Sequence, residues 1–137
     1  MRVGTPPILQ LAALEASLDI WDSVDMAALR VVSLALTDQF IAGVEAACPQ
    51  LVLATPRDHA MRGSQVSFRH PEGYAIMQAL IARGVIGDFR APDIIRCGFT
   101  PLFIDAGDVE KAIAIIADIM QNNLWDRPEY KTRAKVT

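Results

Sequence analysis

The sequence predicts an α+β fold, with helices on one side of a small, largely antiparallel sheet and two long helices leading into it. Three observations carry this. Residues 6–47 repeat apolar side chains at three- and four-residue spacing, the period shortens to β-rich runs after Pro49, and the elements then run β-β-α-β-β-α. With 137 residues the chain has the size of one domain and enough length for a core without disulfides or metal. It reads as a single unit over 1–137, with a helical entry segment (1–47), a sheet-helix unit (48–126) and a basic tail (127–137).

The first helix is expected to begin at Thr5, a good N-cap, with Pro6 in the first helical position, where a missing N–H costs nothing. Leu11, Leu14, Leu18 and Trp21 then share one face. Asp22, Ser23 and Asp25 interrupt the pattern, and Asp25 can cap a second helix striped by Leu29, Val32, Leu36, Phe40, Val44 and Ala47, which ends before Pro49. Residues 51–55 and 64–68 read as strands around the polar turn Pro56-Arg57-Asp58-His59. Residues 72–83 return to helical spacing through Ile76, Met77, Leu80 and Ile81, with Gly84 in the C′ place. Residues 85–90 and 94–97 read as two more strands split by Ala91-Pro92-Asp93, and residues 108–122 as a last helix with Val109, Ile113, Ile116 and Met120 on one face.

Composition narrows the function classes. Hydrophobic residues make up 52% and charged residues 21%, with mean hydropathy +0.25, so disorder is excluded and part of the surface is expected to meet another chain or domain. The charge-free stretch from Val3 to Leu14 is too short and too interrupted for a membrane span, and no secretion signal opens the chain. Cys48 and Cys97 have no CxxC spacing and read as reduced core residues of a cytoplasmic protein. Residues 1–126 carry nine basic against fifteen acidic groups, the wrong balance for nucleic acid. The tail, with four basic groups and one acidic, reads as a solvated, partly mobile end.

The residues offer little catalytic machinery. His59 and His70 lack a ligand partner at metal spacing, no phosphate-binding glycine loop or nucleophile elbow is present, and Ser64 and Ser67 have no neighbouring base. Two features stand out. Arg96 lies in the apolar run Ile94-Ile95-Arg96-Cys97-Gly98-Phe99, where a guanidinium that cannot shed its charge needs a facing anion. That anion is either an internal partner, Asp88 or Asp93, or a ligand carboxylate gripped by the planar fork. Gly4-Thr5-Pro6-Pro7 opens the first helix, either as an ordinary cap or as an anion contact through the Thr5 hydroxyl and the Gly4 or Thr5 N–H.

Four blocks then form a recognisable set: residues 3–9 (VGTPPIL), 62–68 (RGSQVSF), 84–90 (GVIGDFR) and 95–102 (IRCGFTPL). In this order, over essentially the whole chain, they resemble the C-terminal part of bacterial kynureninase, a pyridoxal 5′-phosphate enzyme of the aspartate-aminotransferase-like fold (fold type I). The resemblance implies hydrolysis of L-kynurenine, or its 3-hydroxy form, to anthranilate or 3-hydroxyanthranilate and L-alanine, in tryptophan breakdown and NAD biosynthesis. It implies that Arg96 clamps the substrate α-carboxylate, and that Gly4 and Thr5 reach the cofactor phosphate of the neighbouring subunit in a homodimer. Arg69, Asp88 and Arg90 fall in matching blocks and read as structural.

The family's cofactor-bearing lysine, cofactor-stacking aromatic and pyridinium-binding aspartate belong to a large domain expected before Gly4. Lys111 on the final helix and Lys131 and Lys135 in the tail cannot replace that lysine, so no catalytic residue is assigned in this chain and it is expected to be inactive alone. Cys97 stands where the resemblance implies a bulkier aromatic. The expected partners are therefore the large domain, a second subunit and L-kynurenine, with no nucleic acid and no membrane. Two alternatives stay open: a non-catalytic dimerisation or binding module, and the C-terminal domain of another enzyme of this fold, such as a cysteine desulfurase-like protein.

Overall fold

A computed structural model describes residues 6–132. The elements run α1 (Ile8–Leu18), a 3₁₀ turn (Trp21–Ser23), α2 (Met26–Ala47), β1 (Val52–Leu53), β2 (Gln65–Arg69), α3 (Gly73–Ala82), β3 (Asp88–Arg90), β4 (Ile94–Gly98), α4 (Ala106–Gln121) and α5 (Pro128–Lys131), with a further 3₁₀ turn at His59–Met61. The four strands form one antiparallel sheet in the order β1-β2-β4-β3. The α+β class read from the sequence is therefore the architecture.

Strand alternation divides the sheet into two faces. Val66 pairs with Cys97, Phe68 with Ile95 and Phe89 with Ile95 across the ladders, so these five side chains share one face. Helices cover it: Phe40 of α2 meets the rings of Phe68 (6.1 Å) and Phe99 (5.0 Å), and Leu36, Val44, Ile76, Leu80, Val109, Ile116 and Ile119 join the same buried cluster. The opposite face carries Ser67, Asp88, Arg90, Ile94 and Arg96. One face apolar and covered, the other polar and open, is the usual consequence of an antiparallel ladder with helices on one side.

Caps explain the helix limits. The Asp25 carboxylate accepts from the N–H groups of Ala27 (2.8 Å) and Ala28 (3.2 Å), as expected of an N-cap. At α4, Asp105 and Asp108 form a reciprocal capping box, Asp108 N–H to Asp105 Oδ1 at 3.0 Å and Asp105 N–H to Asp108 Oδ2 at 3.3 Å, so the helix begins at Ala106, two residues before the sequence reading. Gly84 adopts φ +86°, the left-handed geometry that ends α3.

Several boundaries differ from the expectations. The first helix begins at Ile8 with Pro7 in the cap position and no side-chain cap bond, not at Pro6, and Trp21 falls in the 3₁₀ turn. The Thr5 cap lies outside the described residues. β1 is two residues long and β3 three, since only Val52 and Leu53 pair with β2 and residues 85–87 stay outside the β4 ladder. The described start of the tail is docked: α5 packs on α3, Tyr130 lies against the core, and the Tyr74 hydroxyl donates to the Thr132 carbonyl at 3.3 Å. α2 is long and apolar enough to cross a membrane by length and composition, yet Leu36, Phe40, Ile41 and Val44 face the domain core. α1 has no buried residue, and Ile8, Leu9, Leu14, Leu18 and Ile20 are all more than half exposed.

Candidate functional site

The β3–β4 hairpin places a charged cluster on the open sheet face. Its register sets Asp88 directly across from Arg96 and Arg90 across from Ile94. Arg96 Nε donates to one Asp88 oxygen and Nη2 to the other, a bidentate side-on pair. Arg90 Nη2 lies 3.2 Å from Asp88 Oδ2. The hydrogen bonds from Arg96 hold the Asp88 carboxyl below its ordinary value, and the Asp88 bond raises Arg96 in turn.

Of the two internal partners weighed from the sequence, Asp88 is the one found. Asp93 stands in the hairpin turn and pairs instead with Arg69 at 3.2 Å. Arg96 therefore does have an internal anion, but that anion occupies only one edge of the fork. Nη1 has no hydrogen-bond partner among the described residues, and the side chain is 29% exposed. Two guanidiniums around one carboxylate leave the cluster a net positive charge, so it can accept a further anion.

The other candidates separate. Gly4 and Thr5 lie outside the described residues. Cys97 points away from Arg96 into the helical side of the sheet, where burial, with Asp88 as a lesser cause, pushes its thiol up to about 12. It lines an open apolar cleft of about 370 Å³ with Phe40, Val85, Phe99 and Ile104. Lys111 borders that same cleft, on the other side of the sheet from Arg96, and pairs with Asp108 at 3.4 Å. Lys131 pairs with Asp126 and sits 5.6 Å from the Trp125 ring centre.

Both histidines have structural partners. His59 Nε2 is 2.8 Å from Asp38, whereas His70 Nδ1 accepts from the Glu72 N–H at 3.0 Å and its ring stands edge-on to Trp125. The Ser33 hydroxyl donates to Ser64 Oγ at 2.7 Å, and the Ser67 hydroxyl accepts from Gln65, so both serines are engaged as polar structure.

Sequence reasoning missed Arg62. Its side chain is 1% exposed, and it donates to Asp38 of α2 and to the Arg57 carbonyl, with Nε buried and unpartnered. Arg30 reaches the carbonyls of His59 and Arg62, each at 2.6 Å. Together these bonds fasten the loop between β1 and β2 to α2. The available signal was Asp38, one of two acids on α2, beside its buried stripe.

The described residues thus fit the grip of a carboxylate, but not the cradle of pyridoxal phosphate. Among them no lysine reaches the face that bears Arg96, and the phosphate contacts implied by the resemblance fall on Gly4 and Thr5. Comparison with known proteins agrees with this partial character. Residues 29–116 match the family model described as the kynureninase C-terminal domain. The chain is 53% identical over 136 residues to kynureninases of Burkholderia mallei (strain SAVP1) and Burkholderia pseudomallei (strain K96243), and 52% identical to that of Pseudomonas fluorescens. Each match covers 98% of this chain and 33% of the relative, so the chain spans about a third of the length of the curated relatives it matches. With a match running from the start of α2 into α4 and including the Asp88–Arg96 hairpin, the chain belongs to the kynureninase C-terminal domain family.

Proposed function

We propose that these residues act as the C-terminal part of a kynureninase, a cytoplasmic homodimeric hydrolase that cleaves L-kynurenine, or 3-hydroxykynurenine, to anthranilate, or its 3-hydroxy form, and L-alanine in tryptophan catabolism and NAD biosynthesis. Arg96 binds the substrate α-carboxylate through its free outer edge, and Gly4 and Thr5 contact the cofactor phosphate of the neighbouring subunit. Pyridoxal phosphate, held by the large domain, supplies the electron sink for Cβ–Cγ cleavage. The contribution of this chain is to orient the amino-acid end of the substrate. The observation that carries the reading is a half-buried arginine on the open sheet face, anchored on one edge and free on the other, in a chain 53% identical to kynureninases.

A chimaera tests it: residues 1–137 replace the matching third of the Pseudomonas fluorescens kynureninase, and anthranilate release from L-kynurenine is followed by fluorescence. The chimaera is expected to turn over, and the isolated 137-residue chain, given pyridoxal phosphate, is expected to release none. Turnover by the isolated chain contradicts the reading. A folded, cofactor-loaded chimaera without turnover favours a non-catalytic module instead.

A further inference from the structure

We propose that Asp88 and Arg90 are positioning residues for carboxylate recognition by Arg96, an inference that rests on the role proposed for Arg96 above. A guanidinium is a rigid plane, so fixing the Nε–Nη2 edge also fixes the direction of the Nη1–Nη2 edge. Asp88 takes the first edge with both oxygens, and the strand register holds it directly across from Arg96. An arginine on an open sheet face would otherwise sample many rotamers, and each ligand would have to order it on binding. Anchored by Asp88, the fork presents its outer edge before a ligand arrives.

Charge supplies the second part. A one-to-one Asp88–Arg96 pair would be neutral and would attract a carboxylate poorly. Arg90 shares the same carboxylate at 3.2 Å with a largely exposed side chain, so the cluster keeps one positive charge. Arg69 of β2 and Asp93 of the hairpin turn pair with each other and leave that balance unchanged. Asp88 therefore gives direction and Arg90 restores attraction. The ligand class is an amino acid with a free α-carboxylate, and a carboxamide should be discriminated against.

The chimaera described above tests this with Asp88→Asn, Asp88→Glu, Arg90→Gln and Arg96→Ala. Asp88→Asn is expected to raise KM for L-kynurenine about tenfold with kcat within about threefold, the pattern of lost binding shared by ground and transition states. The preference for L-alanine over L-alaninamide as inhibitor should fall in parallel, and Asp88→Glu should recover part of both. Arg90→Gln is expected to raise KM about threefold, with the difference from the parent shrinking as salt screens the charge. Unchanged KM and unchanged discrimination in Asp88→Asn and Arg90→Gln overturn the inference, as does a loss of kcat and cofactor absorbance in Asp88→Asn with KM unmoved in Arg90→Gln. If Asp88→Asn does not fold, Arg90→Gln decides alone, because its exposed side chain supports no core. Arg96→Ala separates the two levels: without a rise in KM there, the carboxylate reading itself fails, whereas a rise there without the others refutes only the positioning roles.

Discussion

Gly87 is the residue on which the geometry of the charged hairpin depends most sharply. A Cβ added there would stand 2.4 Å from the Arg96 carbonyl oxygen and 2.8 Å from Met77 Cε. Met77 is flexible at its end and can turn aside. The carbonyl belongs to the β4 backbone and cannot, so relief must come from parting the two segments. An ordinary carbon-to-oxygen contact is about 3.3 Å, so the gap must open by about 0.9 Å, beside an Asp88–Arg96 pair that depends on strand register. Overpacking of this kind costs about 1–3 kcal/mol. Reduced freedom of the unfolded chain returns about 0.4–1 kcal/mol, leaving Gly87→Ala destabilised by about 1–2 kcal/mol. Urea unfolding of the 137-residue chain, followed by far-UV circular dichroism, measures it. Gly98→Ala is the matched control, since a Cβ at Gly98 meets nothing within 4 Å, and its stability should lie within about 0.5 kcal/mol of the parent. Equal stabilities for Gly87→Ala and the parent would refute the close-approach argument.

Other consequences follow from burial and titration. Cys97→Phe extends a core side chain into the open apolar cleft beside Phe40 and Phe99, and is expected to stabilise the chain by about 0.5–2 kcal/mol in the same urea assay; a loss of more than about 1 kcal/mol would mean the cleft cannot take the ring. The parent Cys97 thiol, buried and shifted up to about 12, should react with an aromatic disulfide reagent at pH 8 only as fast as the chain unfolds. Burial against Trp125 lowers the pKa of His70 below its ordinary 6.5, with Glu72 opposing. The unfolded chain then binds the proton more readily, so stability from neutral His70 is present above pH 6.5 and is lost as pH falls through the folded value. Urea midpoints at pH 7.5 and 5.5 should accordingly differ less in His70→Gln than in the parent.

Much of the fold was legible because its signals are local. The stripe on α2 and the change of period after Pro49 depend on neighbours in sequence, and so does the Gly84 stop. The sheet order was not legible: β2 pairs with β4 across an intervening helix, and nothing in either strand names its partner. The start of α4 was read two residues late because Asp105 and Asp108 cap each other reciprocally, and an apolar pattern does not register a polar box. At the site, the sequence marked Arg96 as a charge in need of an anion, but left Asp88 and Asp93 as equal candidates. Cross-strand register separates them, and register is a property of the folded sheet. Arg62 escaped notice because it sits in a loop with no apolar run around it, and only the closure of that loop onto α2 makes it a buried charge.

The central claim is that this chain supplies the carboxylate-binding arginine of a kynureninase, and substrate affinity in Arg96→Ala tests it most directly. In the chimaera with the Pseudomonas fluorescens large domain, removing a charge-assisted bidentate contact should weaken L-kynurenine recognition by about 10²–10³-fold, the equivalent of about 3–4 kcal/mol, while cofactor absorbance stays intact. A KM within about twofold of the parent, with the cofactor still bound, would contradict the account.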